Sequence, residues 1–350
     1  MFSLVVIVII LALSFDFING FHDTANSIAT CVSTRVLSPK VAIFMAASLN
    51  IAGAMTSHKV AATVSQGIIN DKYIKGDNGV LIVVIAALAA AITWNLITWY
   101  FGIPSSSSHA LFGGLIGSSV AYVGSMAVLK WYEQPKPGHM FFEAKGILMK
   151  IIVPLFTSPL IGLILGFLVM KFLYFVLQSF SQRFVNRCFS KLQIVSAGFM
   201  AFAHGGNDAQ KSMGIITLAL VAVNMNQGQD TPIFPVVLAC ALAMGLGTSV
   251  GGWKIIKTMG VNMIRLQPIN GFAAETGAAI VIESMSAIGA PVSTTHTIST
   301  AIMGVGAAKR ISAVRWSLAK SIVWAWILTI PITAIIGAVA VMVLKLFGLA

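Results

Sequence analysis

Gly102-Ile-Pro-Ser-Ser-Ser-Ser-His109 and Gly289-Ala-Pro-Val-Ser-Thr-Thr-His296 are two copies of one motif, set 187 residues apart. Glycine, proline, serine and histidine fall in register, and hydroxyl side chains fill the two positions before each histidine. Outward from these, a second pair repeats at a shift of 185 residues: Asn19-Gly-Phe-His-Asp-Thr-Ala-Asn-Ser27 over His204-Gly-Gly-Asn-Asp-Ala-Gln-Lys-Ser212. Gly20, Asp23 and Ser27 thus meet Gly205, Asp208 and Ser212. Two motifs in the same order at nearly one shift imply an internal duplication.

The stretches between the motifs are apolar. Of 350 residues, 57% are hydrophobic and 9% charged, where a soluble domain carries about a quarter charged, so water is not the main solvent. About ten apolar runs, such as those over 81–96 and 161–180, are each able to cross a hydrocarbon core that takes roughly 20 helical residues. The chain therefore reads as all-α and polytopic, with the lipid bilayer as a partner. Its net charge of +12 does not point to nucleic acid, because the basic residues sit in short interhelical stretches such as 183–191 and 309–320, as expected of cytoplasmic loops. Cys31, Cys188 and Cys240 are scattered without a CxxC pair, which supports neither a disulfide framework nor a zinc site. Residues 2–18 read as a retained helix, since no basic segment precedes them and no small-residue cleavage site follows.

Loop charge sets the orientation of the halves. Residues 31–40 contain Arg35 and Lys40, whereas 224–232 contain no base and one acid, Asp230, so the two repeats are expected to be inverted. Alternation then puts 183–191, 254–265 and 309–320 inside and both termini outside, with the lysines of 59–75 and 130–150 as exceptions. The stretch 131–145, with Pro135, Pro137 and Gly138, reads as a loop. The expected division is a first repeat over 1–135, a connecting loop and linking helix over 136–192, and a second repeat over 193–350. Inverted repeats are a recurring transporter architecture, with substrate bound where the halves meet.

Each Gly-x-Pro interrupts an apolar stretch, so 101–109 and 288–296 are expected to be re-entrant or broken. Such backbone survives at membrane depth only when buried in protein or facing a wet cavity. Pro104 and Pro291 are expected to start new helices. Ser106, Ser107 and Ser108, with Ser293, Thr294 and Thr295, then supply hydroxyls beside unpaired helix-terminal N–H groups, a setting that receives a tetrahedral oxyanion. Capping alone is the plainer use of such hydroxyls, but the duplication favours a ligand.

Asp23 and Asp208 lie in apolar surroundings, where a carboxylate usually marks an ion or substrate path. Two carboxylates would repel an anion unless a cation joined it, so Na⁺, H⁺ or a divalent metal arriving with the anion is expected there. Asn19, Asn26, Asn207 and Gln210 are available for an oxygen shell. A structural polar network joining the halves is the competing use. Asp16, two helical turns before Asp23, and Glu275 and Glu283 in another apolar segment are further proton or sodium carriers by type. Lys211 either neutralises Asp208 or lends charge to the anion. His22 and His204 flank the aspartates and can carry a proton, whereas His109 and His296 are expected to make structural N–H···O=C bonds. His58 and His139 are unassigned.

On these residues the chain resembles the inorganic phosphate transporter family usually called PiT. Gly206-Asn207-Asp208 matches its glycine-flanked Asn-Asp signature, while His22-Asp23 departs from it in the first copy. That variant, with Trp94-Asn95 and Trp99-Tyr100-Phe101-Gly102, is similar to bacterial low-affinity phosphate permeases. The resemblance spans nearly the whole chain. It implies a multi-pass protein of the bacterial cytoplasmic membrane that is not an enzyme and holds no resident cofactor. The implied activity is symport of phosphate with Na⁺ or H⁺, in some members as a complex with Mg²⁺ or another divalent metal. The His-Asp variant leans toward H⁺. Glu275 matches a glutamate of sodium-coupled members, and Leu88 holds the equivalent place in the first half. On this reading Ser106, Ser107, Ser108, Ser293, Thr294, Thr295, Asn26 and Asn207 bind phosphate, and Asp23, Asp208, His22, Asp16, Glu275, Asn19 and Gln210 couple the cation, with Asp23 and Asp208 as metal ligands. A sulfate permease of the same family is the runner-up. An intramembrane hydrolase using Ser105–His109 is disfavoured, since neither GxSxG nor HExxH occurs and the apparent pair appears twice. A homo-oligomer stays open.

Overall fold

A computed structural model of the chain describes residues 1–74, 78–134, 146–226, 229 and 231–348. Residues 135–145 of the loop expected over 131–145, His139 among them, and Asp230 lie outside the described residues. Twelve α-helices make up the described fold: α1 Phe2–Ser33, α2 Pro39–Ala54, α3 Lys59–Gln66, α4 Gly79–Phe101, α5 Ser107–Val123, α6 Val153–Leu177, α7 Gln182–Ala222, α8 Phe234–Val250, α9 Trp253–Lys257, α10 Pro268–Ala287, α11 Thr294–Lys309 and α12 Trp316–Leu346. Among the described residues there is no strand, and an isolated bridge joins Ile69 and Leu129.

Four segments are long and apolar enough to cross a membrane, and six if the bent pairs Pro39–Ala54 with Lys59–Gln66 (67°) and Phe234–Val250 with Trp253–Asn262 (64°) each count as one. That is fewer than the apolar runs suggest. The difference lies in helices such as α5, with 17 residues, and α11, with 16, which are apolar but short and stand between other helices. The first helix does not stop near residue 18; it carries the whole first polar motif inside one 32-residue helix. The second motif likewise sits within α7, a 41-residue helix that runs across the expected division at residue 192.

Equivalent helices of the two halves make equivalent contacts. Helix α5 packs on α12 as α11 packs on α6, and α1 packs on α8 as α7 packs on α2. The two motif helices cross antiparallel: Ser212 Oγ donates to Asp16 Oδ1 at 2.6 Å, and Asn19 Nδ2 approaches Asp208 Oδ2 at 3.5 Å. Their close fit to neighbours depends on the paired motif glycines. A Cβ on Gly20 would lie 2.3 Å from Met244 O of α8, and one on Gly205 would lie 2.2 Å from Asn50 O of α2.

The breaks expected in the hydroxyl motifs are present. Helix α4 ends in a left-handed turn at Gly102 (φ 67°), and α10 is followed by another at Gly289 (φ 70°). Pro104 and Pro291, however, do not start the next helices. Both lie in extended segments; α5 and α11 begin at Ser107 and Thr294, where the side chains of Ser106 and Ser293 accept from the amides of His109 and His296, each at 3.2 Å. The serine N-cap rather than the proline positions each helix start.

Three of the lysines that stood apart from the charge pattern are tied to helix ends. Lys59 Nζ donates to Ala287 O at 2.9 Å and Lys150 Nζ to Ile288 O at 3.0 Å, both at the end of α10, and Lys130 Nζ donates to Gln66 O at the end of α3. Lys254 Nζ donates in the same way to Tyr100 O at the end of α4. Each satisfies a carbonyl that has no intrahelical partner and sits at the negative end of a helix dipole.

Candidate functional site

The amino ends of α5 and α11 meet the two motif aspartates at the crossing of α1 and α7. Ser107 Oγ donates to Asp23 Oδ2 at 3.1 Å, and its counterpart Thr294 Oγ1 donates to Asp208 Oδ2 at 3.2 Å. Asn26 Nδ2 reaches across to Thr294 Oγ1 and Thr295 Oγ1 at 3.2 and 3.0 Å. Ligand atoms of Asp23, His204 and Asp208 all lie within 4.8 Å of one another. All of these side chains are buried. Among the described residues, the amides of Ser107, Ser108, Thr294 and Thr295 have no hydrogen-bond acceptor. Two helix ends thus present open N–H groups beside carboxylates and orphaned amide oxygens of Asn19 and Asn26, a donor set for an anion next to an acceptor set for a cation.

Histidines and lysine complete the centre. His22 Nδ1 lies 2.6 Å from Asp23 Oδ1, and its Nε2 lies 3.0 Å from Thr98 Oγ1. His204 Nε2 is 3.4 Å from Asp208 Oδ2, and its Nδ1 is 3.2 Å from Asn50 Oδ1. Lys211 Nζ lies 2.5 Å from both Asp208 Oδ1 and Ser108 Oγ. Of the two roles open to Lys211, neutralising Asp208 is the one the contacts display.

Two expected participants are occupied elsewhere. Gln210 accepts from the amides of Val60 and Ala61 at 2.9 and 3.3 Å, so it caps α3 instead of joining the cation shell. Asn207 donates to Ser286 Oγ at 2.7 Å and accepts from Val292 N at 3.3 Å, fastening the extended segment before α11 rather than facing the cluster. Among the described residues His109 and His296 make no carbonyl bond: their rings lie 4.6 Å apart between centroids, and His296 stacks on Trp326 at 3.9 Å. Trp326 in turn donates to Pro104 O at 3.2 Å, so this aromatic stack braces the two broken segments against each other. Asp16 meets Ser212 next to the cluster, with its second oxygen unpaired.

Glu275 stands apart in its own polar cage. It accepts from Thr30, Ser196 and, at 3.3 Å, Gln193. At the repeat shifts the counterparts of Glu275, Thr30, Gln193 and Ser196 are Leu88, Ile215, Val8 and Leu11, which pack together as apolar core. One half holds a buried carboxylate where the other holds hydrocarbon. Sequence reasoning missed Thr98, Thr30, Gln193 and Ser196. Their signal was there to be read: Thr30 is two helical turns past Asp23, Gln193 and Ser196 share one face of α7, and a carboxylate in an apolar helix requires donors.

A profile described as "Phosphate transporter family" matches residues 19–337. A probable low-affinity inorganic phosphate transporter of Bacillus subtilis (strain 168) is 46% identical over 344 residues, 98% of each chain. One of the same description from Rhizobium meliloti (strain 1021) is 46% identical over 338 residues, 96% of this chain and 95% of that one. Among solved structures, "The sodium-dependent phosphate transporter" superposes with a TM-score of 0.83 at 22% identity, covering 98% of this chain and 99% of that chain.

Proposed function

Because the chain belongs to the phosphate transporter family, we propose that this integral, multi-pass protein of the cytoplasmic membrane is a symporter. It takes up inorganic phosphate together with a cation, holding both at the crossing of α1 and α7. The observation that carries this reading is the convergence of α5 and α11, whose open amides stand beside Asp23 and Asp208. Helix-terminal N–H groups suit a phosphate oxygen. Two carboxylates within reach of the same point would expel that phosphate unless positive charge entered with it, which makes co-binding an electrostatic requirement.

Ser107, Ser108, Thr294, Thr295 and Asn26 line the anion side. Ser106 and Ser293 serve it indirectly by capping the two helices. Asp23, Asp208, His22 and Asn19 receive the cation, H⁺ by preference because His22 bridges Asp23 to Thr98; a divalent metal bound to the phosphate would meet the same oxygens. Glu275 is a second, separate cation carrier, and Asp16 is a relay beside the first. The halves are inverted repeats, α1–α6 and α7–α12. Antiparallel crossing of equivalent helices supports this, since a two-fold axis that reverses a membrane-crossing helix lies in the membrane plane.

Uptake of radiolabelled phosphate into proteoliposomes under imposed Na⁺ or pH gradients, with sulfate as competitor, tests the reading. Phosphate accumulation driven by a pH gradient and little affected by sulfate is expected. Uptake that follows Na⁺ alone would reassign the cation. Sulfate competing on equal terms would reassign the anion.

A further inference from the structure

The repeat places Lys211 where the first half has Asn26, each three residues after its motif aspartate. The two side chains also reach equivalent partners. Asn26 Nδ2 donates to Thr295 Oγ1 at 3.0 Å, and Lys211 Nζ lies 2.5 Å from Ser108 Oγ, the counterpart of Thr295. The surroundings of the two then differ in one respect. Around Asn26, its own buried amide oxygen has no partner. Around Lys211, the carboxylate oxygen Asp208 Oδ1 at 2.5 Å, the hydroxyl Ser108 Oγ and the carbonyl Val292 O at 3.0 Å all turn toward the ammonium. Carboxylate, hydroxyl and backbone carbonyl are the oxygen donors that bind hard monovalent and divalent cations, and Lys211 is fully buried among them.

We infer that the Lys211 ammonium is a tethered cation, filling the second of two symmetry-related cation positions, so that this chain needs one fewer mobile cation to bind phosphate than it would with asparagine at 211. The inference rests on the symport reading. Its electrostatics are simple. Asp23 and Asp208 carry two formal negative charges into a buried site, and Lys211 returns one positive charge without drawing on solution. A mobile cation is required only at the Asp23 side, where the Asn26 amide oxygen remains unpaired. Direct contact between Lys211 and phosphate is the rival use of the same charge. It would cost the ammonium its short bond to Asp208, and it predicts a different response to cations.

The test is phosphate binding by calorimetry to the purified full chain in nanodiscs across a range of Na⁺ concentrations, repeated at several pH values. The readout is the slope of log Kd against log[Na⁺] for the natural chain, Lys211→Asn and Lys211→Arg. By linkage, each additional bound cation makes the affinity rise about tenfold per tenfold rise in Na⁺. Lys211→Asn should steepen the slope by one unit and recover affinity at high Na⁺, and Lys211→Arg should keep the natural slope. An unchanged slope in Lys211→Asn, with weakened binding that Na⁺ does not restore, would overturn the inference. Should Lys211→Asn fail to fold, the reciprocal Asn26→Lys decides. It should lower by one the cation dependence of binding, summed over Na⁺ and H⁺, and no change would count against a tethered cation. A natural chain that binds no phosphate would instead sink the symport reading on which this rests.

Discussion

At the scale of single residues, the two motif aspartates occupy the same place in the repeat but stand in different company. Asp23 is bound by Ser107 and His22, whereas Asp208 is bound by Lys211, Thr294 and His204. Asp23→Asn should abolish phosphate uptake in proteoliposomes and leave the melting temperature nearly unchanged, because an amide can still accept from Ser107. Asp208→Asn should abolish uptake and also destabilise the protein, since it strips the partner from a buried ammonium; breaking such a pair costs about 3–5 kcal/mol. Equal melting temperatures for the two variants would refute this division. Glu275→Gln should alter the cation dependence of uptake while phosphate binding at saturating cation stays near the natural value, because Glu275 is held by Thr30, Gln193 and Ser196 and not by the side chains at the amino ends of α5 and α11. Loss of phosphate binding in that variant would place Glu275 in the anion site instead.

At the scale of elements, the motif glycines and the helix breaks have separate tasks. Gly20 and Gly205 let α1 and α7 approach the backbones of α8 and α2, where an added Cβ would overlap carbonyl oxygens. Gly20→Ala and Gly205→Ala should each lower stability by about 1–3 kcal/mol, the usual cost of forcing a methyl into a packed contact, read as earlier thermal unfolding in detergent. If either substitution is neutral, the helix spacing is not set there. The breaks after α4 and α10 turn short helices back toward the molecular centre, and Lys59 and Lys254 fasten the broken ends through equivalent carbonyl bonds.

At the scale of the whole molecule, the shared site and the inverted arrangement each make a claim. If α5 and α11 clasp one anion, calorimetry should find one phosphate per chain, and Ser107→Ala or Thr294→Ala should each weaken binding by about 1.5–3 kcal/mol, the range for a hydrogen bond to a charged group. Two phosphates per chain would mean separate sites. With Cys31, Cys188 and Cys240 replaced, a lone cysteine at Arg35 and one at Asn224 should react with an impermeant maleimide from opposite faces of the membrane; reaction from the same face would remove the inverted repeat. The sequence by itself determined the bilayer as solvent, the duplication, the antiparallel sense of the halves as an expectation, and the short set of polar residues at the centre. It could do so because an intramembrane polar residue is costly enough to be visible one residue at a time. Only the tertiary structure decided the partners: that Lys211 meets Ser108 from the other half, that Gln210 is spent on α3, that Asn207 fastens a loop, and that Glu275 has a polar cage whose counterpart is hydrocarbon. Each of those pairings joins residues far apart in the chain, and helix packing rather than local sequence sets which side chains come within hydrogen-bonding reach.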